Sequence, residues 1–139
     1  MKIFLSNHKP SIDNYIWINN LSQLNDSVLQ SEATEIICED FLSSFAINEQ
    51  QELLNKITEK LRLNSKLIIS EVDCGLITKR FYLEEINLAE LNEKMFSGKR
   101  KSILSVHEII KNLPDKLQVN NKHFQYNECK IILTCRRHK

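Results

Sequence analysis

Carboxylates that follow apolar, strand-like runs are the residues of this chain best placed for chemistry. Glu39 and Asp40 close the run Glu35-Ile36-Ile37-Cys38, and Asp73 stands just past Leu67-Ile68-Ile69-Ser70-Glu71-Val72. At the carboxyl end of a sheet strand, a carboxylate can act as a general base or hold a substrate amine. Asp40 and Asp73 are therefore the candidate catalytic residues. The plainer reading is that Asp40 opens a loop and Glu39 is solvated. His8 is a third candidate, because a neutral imidazole titrates near physiological pH; an exposed loop histidine is the alternative. His107, His123 and His138 lie in polar surroundings, and no His–Cys or His–Asp spacing suggests a metal, so no metal site is expected. A G-x-S-x-G elbow is absent.

Two glycines, Gly75 and Gly98, stand alone and far apart. Phosphate-cradling and dinucleotide loops need several close together, so neither a P-loop nor an ordinary Rossmann fingerprint is present. The four cysteines (Cys38, Cys74, Cys129, Cys135) form no C-x-x-C pair and read as free, mostly buried thiols. Two basic clusters, Lys99-Arg100-Lys101 and Arg136-Arg137-His138-Lys139, would contact nucleic-acid phosphates if the fold brought them together. The formal net charge of +1 supplies no global attraction to nucleic acid or an anionic membrane. Lys99, Arg100, Lys101, Arg136 and Arg137 are nonetheless the residues such a partner would use.

The elements that must position these groups follow from apolar patterning. With 139 residues, 42% hydrophobic and 27% charged, the chain reads as one globular domain over 1–139. No apolar run approaches the ~18 residues of a membrane span, and the start Met1-Lys2-Ile3-Phe4-Leu5 is too short for a signal peptide, so a cytoplasmic location is expected. Heavy use of Ile, Asn and Lys fits an AT-rich bacterial or viral coding genome.

Lys2–Leu5 predicts a first strand, broken by Pro10, and Tyr15–Ile18 a second. Leu21–Ser31 reads as a loop with one helical turn. Thr34–Cys38 is a continuous apolar strand, as when both faces are covered. Asn48 as N-cap, with Gln51 completing the box, opens a helix over Asn48–Arg62 whose Leu53, Leu54, Ile57 and Leu61 form one stripe. Asn64 is expected to end it in the left-handed conformation, before a strand over Lys66–Val72. The chain beyond Asp73 looks irregular to Leu83, then helical over Glu84–Phe96. Ser105-x-x-Glu108 opens a short helix closed by Pro114. Lys116–Asn120 and Lys130–Cys135 suit an antiparallel edge hairpin. The resulting expectation is an α/β fold, a mostly parallel sheet with helices on both faces.

Taken together, this order resembles the compact class I S-adenosylmethionine-dependent methyltransferases. The family's first strand and glycine loop, K-L-N-L-G-C-G, is matched by Lys2-Ile3-Phe4-Leu5-Ser6-Asn7-His8. Its second strand with acidic end, Y-I-N-I-D, is matched by Tyr15-Ile16-Trp17-Ile18-Asn19. Its L-K-P-G-G-x-L-x-I turn corresponds to Leu61-Arg62-Leu63-Asn64-Ser65-Lys66-Leu67-Ile68-Ile69. The resemblance implies a Rossmann-like sheet and a cofactor site at Leu5, Ser6, Asn7, His8, Asn19 and Glu39. In the family the glycines let the backbone pass close to the methionine moiety of the cofactor, and the acid holds the ribose hydroxyls. Ser6 and His8 stand where the glycines belong, and Asn19 lacks the charge of the acid. The expectation is a degenerate S-adenosylmethionine site on a non-catalytic binding or assembly module, acting as a homodimer or with a protein partner. An active methyltransferase with an atypical pocket and a nucleic-acid-binding accessory protein are the competing readings.

Overall fold

A computed structural model describes all residues, Met1–Lys139. In chain order the elements are β1 (Lys2–Ser6), β2 (Ile16–Ile18), α1 (Leu21–Ser27), β3 (Ala33–Glu39), α2 (Gln50–Lys60), β4 (Leu61–Val72), α3 (Cys74–Tyr82), α4 (Leu88–Phe96), α5 (Val106–Asn112), β5 (Leu117–Gln125) and β6 (Lys130–Arg137). They build one sheet of order β2-β1-β3-β4-β6-β5. β2, β1, β3 and β4 are parallel, and β6 runs antiparallel to both β4 and β5. This is the α/β architecture expected, a mostly parallel sheet ending in an antiparallel hairpin.

Side-chain alternation divides the sheet into two unequal faces. Ile3 and Leu5 of β1, Ile36 and Cys38 of β3, Leu67 and Ile69 of β4, and Ile131, Leu133 and Cys135 of β6 all lie in one large buried cluster. α1 contributes Leu24, α2 contributes Leu53, Leu54 and Ile57, and α5 contributes Ile109 to the same cluster. The opposite face carries Phe4, Ile37, Ile68 and Ile132, of which only Phe4 is fully buried. The loop of residues 7–15 lies along part of that face, setting Ile12 into a groove with those four side chains. α3 and α4 reach it at one corner, where Ile77, Ile86, Leu91 and Met95 pack on Val72 and Cys129.

Local chemistry explains where the boundaries moved from expectation. Asn20 caps a full α1, its Oδ1 accepting from Gln23 N at 2.7 Å, where the polar composition suggested one turn. The Asn48 cap is not formed. A 3-10 turn over Ile47–Glu49 leads into α2, and Glu49 Oε1 accepts from Ala46 N instead (3.1 Å). Gln50 is buried because its Nε2 donates to Leu42 O at 2.7 Å. α2 stops at Lys60, and Leu61 already begins β4. Asn64 does take a positive φ (67°), but inside β4, where the pairing with β3 shifts register between Ala33 and Glu35. The left-handed residue serves a bulge rather than a helix end. The stretch after Asp73 is not irregular: it is α3. The hairpin strands are longer than expected, leaving only Tyr126–Cys129 between them.

Asp73 governs α3 and α5 together. It is 4% exposed. Its Oδ2 accepts from Leu76 N (2.8 Å), capping α3, while Oδ1 accepts from Val106 N (2.7 Å) in the first turn of α5. Ser105 Oγ takes the next free donor, Glu108 N, at 3.1 Å. Both carboxylate oxygens are therefore engaged with backbone donors.

Two stability outcomes follow from this packing. Leu54→Ala, in a fully buried position of α2, should lower unfolding free energy by roughly 2–5 kcal/mol in urea titrations. Asp73→Ala should cost roughly 2 kcal/mol by removing two caps at once, and Asp73→Asn should recover part of it. A loss no larger than that of an exposed cap would refute the shared-cap role.

Candidate functional site

β1 and β3 are adjacent and parallel, yet the chain leaves them in opposite directions, from β1 outward to β2 and from β3 outward to β4. The two connections diverge, and an open sheet leaves a crevice at such a switch point. Here the crevice is a cleft of ≈ 420 Å³. Ser6 and the loop Asn7–Ile12 form one wall, Glu39, Asp40 and Ser43 the floor, and Ser97–Arg100 the other wall.

The first wall is tied to itself. Ser6 Oγ donates to His8 O at 2.6 Å, and Trp17 Nε1 donates to Ser6 O at 3.2 Å. The serine side chain thus closes its own turn, and His8 is left exposed. On the floor, Asp40 adopts φ 51°, a left-handed conformation that Asp tolerates better than most residues. Its N–H donates to Ser70 O (2.9 Å), which aims the carboxylate into the cleft mouth. Lys130, at the start of β6, donates from Nζ to Asp40 Oδ2 at 2.9 Å.

Ser43 joins the floor to the second wall. Its carbonyl accepts from Lys101 N (2.7 Å) and Ser102 N (3.1 Å), and Ser102 Oγ donates to Phe45 O (2.9 Å). This pins the basic loop and brings Arg100 beside Asp40, Nη2 to Oδ1 3.7 Å. Below, Ser43 N donates to Glu71 Oε2 at 3.3 Å. Glu71 follows Leu67 and Ile69 on the core-facing side of β4 and is fully buried. Burial, and secondly the charge of Asp40, push its carboxyl up to about 7; the Ser43 hydrogen bonds and Arg100 oppose the shift.

The cleft gathers Ser6, Asn7, His8, Glu39 and Asp40 among the residues expected at the site. Leu5 points the other way, into the main core. Asn19 is exposed outside the lining, its Oδ1 accepting from Asn20 Nδ2 at 2.8 Å. Asp73 caps helices and does not line the cleft. The two basic clusters are not brought together. Lys99 and Arg100 line the cleft, whereas Arg136 pairs with Lys66 at the far end of β4 and Arg137 Nη1 donates to the carbonyls of Leu61 and Thr58. Lys9, Ser43, Glu71 and Lys130 join the site without having been among the expected residues. Glu71 alone carried a signal, as an acid at a core position of an alternating strand; the others depend on tertiary neighbours. No group of three His, Cys, Asp or Glu side chains is arranged to hold a metal ion.

Glu71 imposes a pH dependence. A carboxyl held protonated in the folded state contributes stability that is complete below its ordinary value of 4.5 and is lost as pH rises through about 7. Glu71→Gln should abolish that slope, the difference between variant and wild type growing to on the order of 3 kcal/mol by pH 8. Parallel urea-midpoint curves from pH 4.5 to pH 8 would count against it.

No protein-family model matches the chain, and no curated protein matches it. Solved structures do. Magnesium protoporphyrin IX methyltransferase of Synechocystis, crystallised with bound SAH, matches with a TM-score of 0.58 and 19% identity over 88% of this chain and 50% of its own. PH0226 protein from Pyrococcus horikoshii gives 0.61 and 17% over 90% of this chain and 59% of its own. A SAM-dependent methyltransferase from Methanosarcina mazei gives 0.58 and 12% over 99% of this chain and 82% of its own. The chain spans about half the length of the Synechocystis enzyme. At these identities the likeness concerns the backbone path, and that path is the fold of the class I S-adenosylmethionine-dependent methyltransferases.

Proposed function

We propose that this chain is a methyltransferase-fold protein whose cofactor site has been rebuilt, so that it works as a binding or assembly module and transfers no methyl group. The observation that carries the reading is the wall of the cleft formed by Ser6–Ile12. A bound adenosyl cofactor needs close backbone approach after β1, a polar anchor for its ribose after β2 and an apolar slot for its base. Ser6 closes a turn with its own hydroxyl, Asn19 is turned to Asn20, and apolar lining comes only from Phe4, Pro10 and Ile12. These residues do not fit the cofactor.

A second reading keeps an active methyltransferase with an atypical pocket. What favours it is that Ser6, Asn7, His8, Glu39 and Asp40 share one cleft at the switch point. In that case Asp40, held by Lys130, stands nearest any substrate. Homodimerisation or a protein partner belongs to the assembly role. Nucleic-acid binding has weaker support, because the Lys99–Lys101 loop and Arg136–Arg137 lie at opposite ends of β4 and β6.

Isothermal titration with S-adenosylmethionine and S-adenosyl-L-homocysteine separates the two readings. The rebuilt site should give no saturable heat into the millimolar range. Micromolar binding that weakens on Asn19→Ala, with an unchanged melting temperature, would replace the first reading by the second.

A further inference from the structure

Arg100 is a largely buried cation whose single carboxylate neighbour stands beyond hydrogen-bond reach. Its side chain is only 8% exposed, and its Nε is fully buried with no hydrogen-bond partner. The nearest carboxylate oxygen, Asp40 Oδ1, stands 3.7 Å from Nη2, too far for a hydrogen bond, and is itself without a partner. Asp40 is already matched by Lys130 at 2.9 Å. A guanidinium offers five N–H donors in a fixed fork, and leaving the buried Nε–H among them unpaired is unfavourable. The fold nevertheless holds it there, because the next two amides, Lys101 N and Ser102 N, are both fastened to Ser43 O on the floor. An arginine fixed in this way is one made to receive a planar or tetrahedral oxyanion.

The rest of the cleft selects among oxyanions. Lys9 and Lys99 line the same cavity and are exposed to it, so that with Lys130 holding Asp40 the cations outnumber the free acid Glu39. Ser11 and Ser97 add hydroxyls. Gly98, at φ 66°, turns the second wall with nothing within 4 Å of the place its Cβ would occupy. Two exposed ammonium groups beside a fixed guanidinium suit a group carrying close to two negative charges, as a phosphoryl does near neutral pH. With so little apolar lining, the remainder of the ligand should be hydroxyl-bearing rather than an aromatic base.

We infer that the cleft binds a small polyhydroxylated phosphate ester, with Arg100 gripping the phosphoryl oxygens and Lys9 and Lys99 neutralising them. This rests on the reading that the cleft does not serve the adenosyl cofactor. Ribose 5-phosphate is the probe, titrated into the full chain at constant ionic strength by calorimetry and by amide chemical-shift changes. Ribose and malonate serve as controls. Saturable binding should appear at least tenfold tighter than for either control, with shifts concentrated in residues 6–12 and 97–101. Arg100→Lys, which keeps the charge and loses the fork, should weaken it about tenfold. Lys99→Gln, at an exposed position, should weaken it severalfold with no change in melting temperature, which guards against a variant that fails for want of folding. Equal affinity for malonate, indifference to both substitutions, or no saturation in the millimolar range would overturn the inference. The cofactor titration keeps the two ideas apart: if neither S-adenosylmethionine nor ribose 5-phosphate binds, the phosphate site falls alone, and if only S-adenosylmethionine binds, both fall.

Discussion

A parallel neighbour can be reached only by a crossover, and the crossover from β1 to β2 is confined to residues 7–15. Such connections ordinarily take a dozen or more residues and a helix. Here there is room for neither, and Pro10 would interrupt a helix in any case. The loop lies partly over the sheet and partly beside the ends of β1 and β3. Three features of the molecule follow. β2 pairs with β1 over only Ile3–Leu5. The face bearing Ile37, Ile68 and Ile132 is covered thinly, by Ile12 rather than by a helical layer. And the wall of the cleft is a polar loop that holds itself in shape through Ser6 and His8.

The thin first wall shifts the burden of shaping the cleft onto its far side. Asp40 leaves β3 with a positive φ, Lys130 arrives from β6, and the Ser97–Ser102 loop is fastened to Ser43. These groups come from distant parts of the chain, and none would be ordered without the sheet between them. Glu71 lies beneath and feels the same charges. Its carboxyl is raised chiefly because the core face of β4 gives it no water, and secondly because Asp40 is close. The cleft floor is thus one electrostatic unit, in which the Ser43 backbone links a buried acid to an anchored arginine.

The scaffold was legible in the sequence because its signals are local. The β3–α2–β4 unit could be read from Glu35–Cys38, the stripe Leu53, Leu54, Ile57 and the run Leu67–Ile69, all of which are strand or helix residues as expected. The positive φ at Asn64 could be read too, since the residue type favours it, although its setting in a bulge could not. α3 is hard to read from sequence because its cap, Asp73, is equally a candidate catalytic acid and its first turn contains Cys74-Gly75. Asn48 misleads for the converse reason: the next residue, Glu49, reaches back to Ala46 N and closes the 3-10 turn that leads into α2. At the site, Ser6, Asn7, His8, Glu39 and Asp40 were found through their position at strand ends, which topology alone fixes. Lys130 and Ser43 were not, because their roles depend on which strand lands beside β4 and which loop folds over β3.

Low identity with retained backbone path leaves the question of which departures matter, and the distribution of unsatisfied groups bears on it. Buried polar atoms in native proteins nearly always find partners, and exceptions concentrate where strain or binding is functional. In this chain the buried side-chain atoms without a partner are Asp40 Oδ1, Glu71 Oε1 and Arg100 Nε. They come from a strand end, a core strand and a surface loop, with no sequence proximity to link them. All three nevertheless meet around Ser43, at the switch point of the sheet. A cleft that had merely decayed would be expected to lose its charged groups to solvent or fill with apolar ones, since either change removes the cost of burial. This one instead holds an arginine in place by backbone hydrogen bonds on the two residues that follow it and leaves its buried Nε–H without an acceptor.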